Sequence, residues 1–334
     1  MMKLRAVVLC ITLLFMASTS LIIPLVTAQE EEPLPEGSQD TAASTPRPLP
    51  TRQPFSNPQR IVPAGNVRLE LFFALLLQGQ TGLARVFKTE ASGAAIESVT
   101  ATFLGREIRF FPTDGSYFYG LIAAGVEAPT GRDIPLSAAV TFADGTVTLI
   151  NTTIELGFGP YFRQVINLPA DRTFLLDGDL ERAELARLEA LFEAVTEERM
   201  WEAVGFRLPI NAELTSAFGL LRTFNGALNT RHTGWDIRTI ANQPVAAVAG
   251  GQVVFAGQLD IRGSHVVIDH GYGVYSGYSH LSEINVQVGD RLARGATVGF
   301  TGATGRTSGP HFHWEMAING EFVDGVQLIQ MWMP

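Results

Sequence analysis

The chain holds six histidines, His232, His265, His270, His280, His311 and His313, and all of them fall in its C-terminal part. A general need for polar surface would not sort them this way. The stretch SGPHFHWE, Ser308 to Glu315, spaces His311 and His313 two residues apart. On a strand that period sends both imidazoles to one face and Phe312 to the other, with Pro310 marking the expected strand start. His232 and Asp236, in RHTGWDI, are four apart. On a strand His232, Gly234 and Asp236 would share a face, and Gly234 would leave open space between imidazole and carboxylate. His280, in YSGYSHL, supplies a third imidazole at the end of a strand that follows the turn DHGYG. Each piece alone is a weak signal, since alternating histidines suit an ordinary strand and a His–Asp pair suits a surface ion pair. Together they form a donor set for a metal. A His/His/Asp shell suits zinc, and three protein ligands leave the fourth tetrahedral position for water. Zinc lowers the pKa of that water from about 15.7 toward about 7 and polarises a carbonyl. Further histidines beside it can move protons or stabilise an oxyanion.

Those residues need strands and tight turns around them. From Gly205 onward the sequence is rich in β-branched residues and in glycine, as in IANQPVAAVAGGQVVFAG, which predicts a β-rich domain over residues 205–334. Residues 66–170 have a different texture. Short apolar runs such as VTATFLG and IPLSAAVTF are separated by turn signals, with Asp-Gly pairs at Asp114-Gly115 and Asp144-Gly145. This predicts a β-sandwich of the immunoglobulin-like type, and it contains no histidine cluster or nucleophile signature. Between the two, residues 171–204 read as a helical connector. Leu185, Leu188, Leu191, Phe192 and Val195 recur at spacings of three and four, an apolar stripe that would pack between the domains from Asp179 to Val204. The expected fold class is therefore mainly β.

The N-terminal residues are read as targeting and spacing. Lys3 and Arg5 precede an apolar run that ends in Val26-Thr27-Ala28, the pattern of a secretory signal peptide over residues 1–28. The run is also long enough for an uncleaved membrane anchor. Cys10, the only cysteine, lies inside it. The exported chain would then have neither disulfides nor a cysteine nucleophile. Residues 29–65, rich in Pro, Ser, Thr and charge, read as a disordered linker. A net charge of -9 and a pI near 5.2 argue against nucleic acid as the partner.

The C-terminal motifs carry a specific resemblance. SAFGLLR, HTGWDI, HVVIDHGYG, YSHL and VQVGDRLARGATVGFTGATGRTSGPHFHWE resemble the M23 family of zinc metallopeptidases, the lysostaphin and LytM type of peptidoglycan endopeptidase. The resemblance runs from Thr215 to Val323 in the family's motif order. It implies a LytM-type peptidase domain with one zinc ion, held by His232 and Asp236 (the H-x-x-x-D motif) and by His313 (the second histidine of H-x-H). It assigns the two remaining active-site positions to His280 and His311. One of these would serve as general base and the other would stabilise the intermediate, and His311 is the preferred base. The implied reaction is attack of metal-activated water on peptide bonds of peptidoglycan cross-links or stem peptides, in an exported enzyme of the cell envelope, periplasm or extracellular space. Some relatives add a tyrosine at the oxyanion, which has no assignment here. His265 and His270 read as structural or exposed.

Three rivals stand beside that reading. A catalytically inactive LytM-like protein that binds wall or regulates an amidase would typically have lost metal ligands, and every matched position is intact. A biotin- or lipoyl-carrier domain needs a modified lysine, and the only lysines are Lys3 and Lys88. A serine hydrolase would show a G-x-S-x-G elbow, which is absent. The glycines of GFTGATG lack both dinucleotide-binding and P-loop spacing and read as turns.

Overall fold

A computed structural model describes residues 57–113 and 116–333. The expected signal peptide, most of the expected linker and the Asp114-Gly115 turn lie outside the described residues.

The first group of strands is β1 (Arg60–Ala64), β2 (Val67–Leu71), β3 (Leu75–Leu77), β4 (Thr81–Lys88), β5 (Ile96–Phe103), β6 (Arg106–Arg109), β7 (Phe111–Pro112), β8 (Phe118–Ala123), β9 (Gly131–Phe142) and β10 (Val147–Gly157). They form two five-stranded sheets, ordered β1-β2-β4-β8-β7 and β3-β10-β9-β5-β6. Alternate residues point into one shared core, such as Val67, Leu69 and Leu71 from β2 and Val99, Ala101 and Phe103 from β5. That is the packing expected of period-two strands with one buried face. The β9–β10 hairpin turns at Asp144-Gly145, where Gly145 has φ +81° and Asp144 Oδ1 accepts from the Thr146 N–H. Strand β1 lies inside the stretch expected to be linker. It is an edge strand that pairs with β2 from Arg60↔Leu71 to Ala64↔Val67 while its side chains stay largely exposed. Main-chain pairing holds it, so composition gave no sign of it.

Strand β11 (Arg163–Ile166) falls within residues 66–170, expected to be sandwich, yet it pairs in parallel with residues 221–224 of the C-terminal part. The expected connector, residues 171–204, holds most of a 3-10 segment (Ala170–Leu176) and α1 (Gly178–Phe192). Asp177 caps α1 by accepting from the Asp179 N–H. The helix buries Glu184, Leu188 and Phe192. Leu188 and Phe192 share one buried apolar cluster with Val126, Phe255, Tyr275 and Phe322. The stripe expected to reach Val204 therefore stops at Phe192. Beyond it tertiary bonds take over the backbone: Tyr275 Oη donates to Ala194 O, and the Met200 N–H donates to His270 O.

The C-terminal part comprises β12 (Leu214–Ser216), β13 (Leu221–Phe224), β14 (Leu228–Arg231), β15 (Gly234–Ile237), β16 (Pro244–Ala246), β17 (Gly251–Leu259), β18 (Gly263–Asp269), β19 (Val274–Ile284), β20 (Arg291–Leu292), β21 (Thr297–Thr301), β22 (Phe312–Ile318), β23 (Glu321–Val323) and α2 (Gly325–Gln330). Its main sheet runs β12-β15-β22-β19-β18-β17-β20, with β16, β21 and β23 branching from it. Strand β13 pairs with β14 and, on its other edge, with β11 in parallel. The central strands β15, β22 and β19 carry the candidate site.

Candidate active site

Antiparallel pairing sets Asp236 of β15 opposite His313 of β22, and His313 opposite Ser279 of β19. Phe312 points into the core and is fully buried, so His313 must face the other way. His232 arrives differently from expectation. It lies in the loop before β15, two residues ahead of the strand start at Gly234. The space at Gly234 is not open either, because a Cβ there would lie 2.2 Å from Trp314 O. Glycine is needed at that point for close approach of β22, and the space between the candidate donors lies elsewhere.

That space is where three atoms converge. His232 Nε2 lies 3.0 Å from Asp236 Oδ1 and 3.0 Å from His313 Nδ1, while His313 Nδ1 lies 2.9 Å from Asp236 Oδ1. The far nitrogens are already committed. His232 Nδ1 lies 2.6 Å from Ala217 O, which can only accept, so Nδ1 carries the proton and Nε2 a lone pair. His313 Nε2 likewise faces the Glu315 carboxylate at 3.2 Å. With both rings neutral, two nitrogen lone pairs and a carboxylate oxygen would point at one spot with no proton between them. Such a set requires a proton or a cation there. The donor types and spacing fit zinc, whose histidine ligands commonly donate their other N–H to a carboxylate or carbonyl.

The electrostatics agree with that geometry. His232, Asp236 and His313 are 2%, 7% and 6% exposed, which keeps bulk water from screening them. Burial lowers the pKa of His232 to about 4, so the ring is neutral. Burial also opposes the Asp236 carboxylate. The neighbouring His232, the Arg222 guanidinium and two histidine hydrogen bonds outweigh it and hold Asp236 well below the usual carboxylate range. Burial works against a charged His313 as well, but Glu315 and Asp236 push its pKa up. A cation at the centre would compete with a proton on His313.

His280 and His311 stand beside this centre, with ring centroids 4.8 Å apart. His311 lies just before β22, not within it as expected. Its Nδ1 faces Gly309 O at 3.0 Å, and its Nε2 is 3.6 Å from Asp236 Oδ1. His280 Nδ1 faces Thr304 O at 2.7 Å. Carbonyls can only accept, so both rings carry the proton on Nδ1 and keep a lone pair on Nε2. Burial lowers both pKa values, well below the ordinary value for His280, where His311 and His313 add repulsion. His280 has φ +59°, an uncommon conformation for a side-chain-bearing residue. The His280 N–H bond to Arg262 O and the ring bond to Thr304 O hold it there.

The site opens into a cleft of about 430 Å³ whose lining includes Asp236, Arg222, Thr307 and His311, together with Gln164 and Val165 of β11. None of its lining residues is a tyrosine, and the oxyanion tyrosine stays unassigned. Gln164 Oε1 accepts from Arg222 Nε at 3.0 Å, and Arg222 in turn donates to Asp236 Oδ2. Arg172 Nη1 donates to Thr307 O at 2.9 Å, and Glu181 pairs with Arg306. The connector therefore holds the loop that carries His311. Sequence reading missed Arg222, Arg172 and Glu315. Only Glu315 had a local signal, since it continues the His311, His313 alternation by two more residues.

His265 and His270 are fully buried, so neither is exposed. His270 bonds Gly250 O and Ser276 Oγ, each at 2.7 Å. His265 Nδ1 meets Ser279 Oγ at 3.0 Å.

Comparison with known proteins bears on the same strands. The sequence profile of peptidase family M23 matches residues 230–325. The DD-carboxypeptidase/endopeptidase Mpg of Neisseria meningitidis serogroup B is 40% identical over 97 residues, which cover 29% of this chain and 22% of that protein. The peptidoglycan DD-endopeptidase ShyA of Vibrio cholerae is 36% identical over 96 residues, 29% of this chain and 22% of that protein. The chain thus matches about a fifth of the length of these relatives. A crystal structure of an M23 peptidase from Pseudomonas aeruginosa has a TM-score of 0.56 at 23% identity, covering 77% of this chain and 96% of that one, and shows a shared fold.

Proposed function

We propose that this chain, which carries a peptidase family M23 domain over residues 230–325, is a zinc-dependent endopeptidase that hydrolyses peptide bonds in peptidoglycan cross-links or stem peptides. The observation that carries this reading is the convergence of His232 Nε2, Asp236 Oδ1 and His313 Nδ1 on one point. These three residues hold the metal. When bound, zinc supplies a nucleophilic water near neutral pH and polarises the scissile carbonyl. The names of the relatives support the substrate class, since ShyA is called a peptidoglycan DD-endopeptidase. Export of the chain to the envelope would bring it to that substrate. The two N-terminal sheets fit an immunoglobulin-like sandwich.

His311 is the general base. Its Nε2 lone pair faces the centre, its Nδ1 proton is fixed by Gly309 O, and it is more exposed to the cleft than His280. At rest neither His280 nor His311 has an N–H to offer an oxyanion, because both hold their proton on Nδ1. A ring becomes a donor at Nε2 only after taking a proton. His311 therefore takes the proton from the attacking water, and the same proton serves the departing amine. His280, its ring next to that of His311, steadies the charge that passes between them.

The competing reading, a catalytically inactive LytM-like protein that binds wall or regulates an amidase, is disfavoured because every residue needed for metal and base is present and in contact. Digestion of purified peptidoglycan with and without a chelator, followed by mass analysis, tests the choice. New amines at peptide bonds, lost on chelation, support the endopeptidase. Intact peptides released from glycan would indicate an amidase, and unchanged peptidoglycan would indicate the inactive protein.

A further inference from the structure

A buried run of charge leads from His313 back to the connector helix. Glu315 follows His313 by two residues on β22, so both side chains leave the same face, and Glu315 Oε1 lies 3.2 Å from His313 Nε2. Arg262 grips both oxygens of that carboxylate, with Nε 2.7 Å from Oε2 and Nη2 2.6 Å from Oε1. This two-bond fork fixes the plane of the carboxylate as well as its position. Nη1 of the same guanidinium donates to Glu184 Oε1 at 2.9 Å, and Glu184 sits on α1. Glu184 also accepts the backbone N–H groups of Ile261 and Arg262, at 2.8 and 3.1 Å. Arg262, Glu184 and Glu315 are 5%, 5% and 2% exposed. Two carboxylates against one guanidinium leave an excess negative charge in the interior, beside the ring of His313. Uncompensated buried charge is costly, and a cation on the other side of that ring offsets it.

We propose that Glu315 is the positioning residue for His313, and that helix α1 holds Glu315 in place through Glu184 and Arg262. The connector is then part of the metal centre and not a tether between domains. The inference rests on the reading that His313 is a metal ligand. Its chemistry is that of a carboxylate behind a ligating imidazole: it keeps the proton on Nε2, aims Nδ1 at the metal and makes that nitrogen more basic. Glu184 lies outside residues 230–325, the segment that matches the family profile. That segment by itself would lack the last link.

The test uses the full chain and zinc alone, with affinity measured by competition against a chromophoric chelator. Glu315→Gln should weaken zinc binding by about 10- to 100-fold, the usual scale for outer-shell partners. Glu184→Gln should weaken it in the same direction by a smaller factor. The double variant should bind no more weakly than Glu315→Gln, because Glu184 acts only through Glu315. A second readout needs no variant: in the zinc-loaded wild type, the side-chain proton–nitrogen spectrum should show His313 protonated at Nε2 and shielded from solvent exchange. Zinc affinity within about twofold of wild type in Glu315→Gln, or a wild-type His313 that carries no Nε2 proton, overturns the inference and leaves the metal centre standing. A wild-type chain that holds no zinc overturns both.

Discussion

The Arg222 guanidinium donates to Asp236 Oδ2, and this leaves Oδ1 of the same carboxylate facing His232 and His313. One oxygen is neutralised by a fixed cation and the other is offered to an exchangeable one. On the proposed reading, Asp236 is thereby prepared as a one-oxygen metal ligand even though it is almost wholly buried.

Removing that fixed cation should expose the division of labour. Arg222→Met leaves the Asp236 carboxylate buried with a counter-charge missing, which destabilises the metal-free protein by about 3 kcal/mol. Zinc would then supply the missing charge. The rise in melting temperature on adding zinc should accordingly be larger in Arg222→Met than in wild type, as differential scanning calorimetry can read. An equal or smaller rise would mean that Arg222 does not share Asp236 with the metal.

His311 should separate metal holding from proton transfer. His311→Gln should lower kcat on a cross-linked stem peptide by about 10²- to 10⁴-fold, the range for loss of a general base. Its zinc content should stay at the wild-type level, because Nε2 of His311 stands outside the three converging atoms. Equal loss of zinc and activity would make His311 a ligand.

His270 predicts a pH dependence of stability away from the site. It is fully buried, both ring nitrogens are hydrogen-bonded, and burial lowers its pKa to about 4. The unfolded chain titrates near 6.5, so between about pH 6.5 and 4 the unfolded state binds a proton that the folded state refuses. Its contribution is fully present above that window and falls by about 3 kcal/mol as pH drops through it. Urea unfolding of zinc-free protein at several pH values should show the fall. The slope over that window should be shallower in His270→Gln, and an unchanged slope would locate the effect elsewhere.

These predictions lean unevenly on what the sequence could reveal. The alternation of His311, Phe312 and His313 was legible because a strand has period two, and Phe312 does point into the core while His313 faces the opposite side. The His232–Asp236 spacing suggested one strand face. The two side chains do meet, but through a loop that brings His232 in from the side, while Gly234 serves strand packing. Period-two reasoning cannot see a loop. Arg222, Arg262 and Glu184 were out of reach for a different reason. Their partners lie 14, 53 and 78 residues away along the chain, and although helical spacing sets Glu184 on the face of Leu188 and Phe192, no local pattern says what a carboxylate there would meet. Docking of α1 onto the 261–262 backbone supplies those partners. The end of α1 at Phe192 and the pairing of β1 with β2 also follow from tertiary bonds that leave no periodic trace.

The central claim, that one metal held by His232, Asp236 and His313 drives peptide-bond hydrolysis, is tested most directly by measuring zinc content and peptidoglycan hydrolysis together in wild type and His313→Ala. The account predicts about one zinc per wild-type chain, as in catalytic sites with three protein ligands, and loss of both zinc and hydrolysis in a variant that remains folded. A zinc-free His313→Ala protein that cleaves peptidoglycan at the wild-type rate would contradict it.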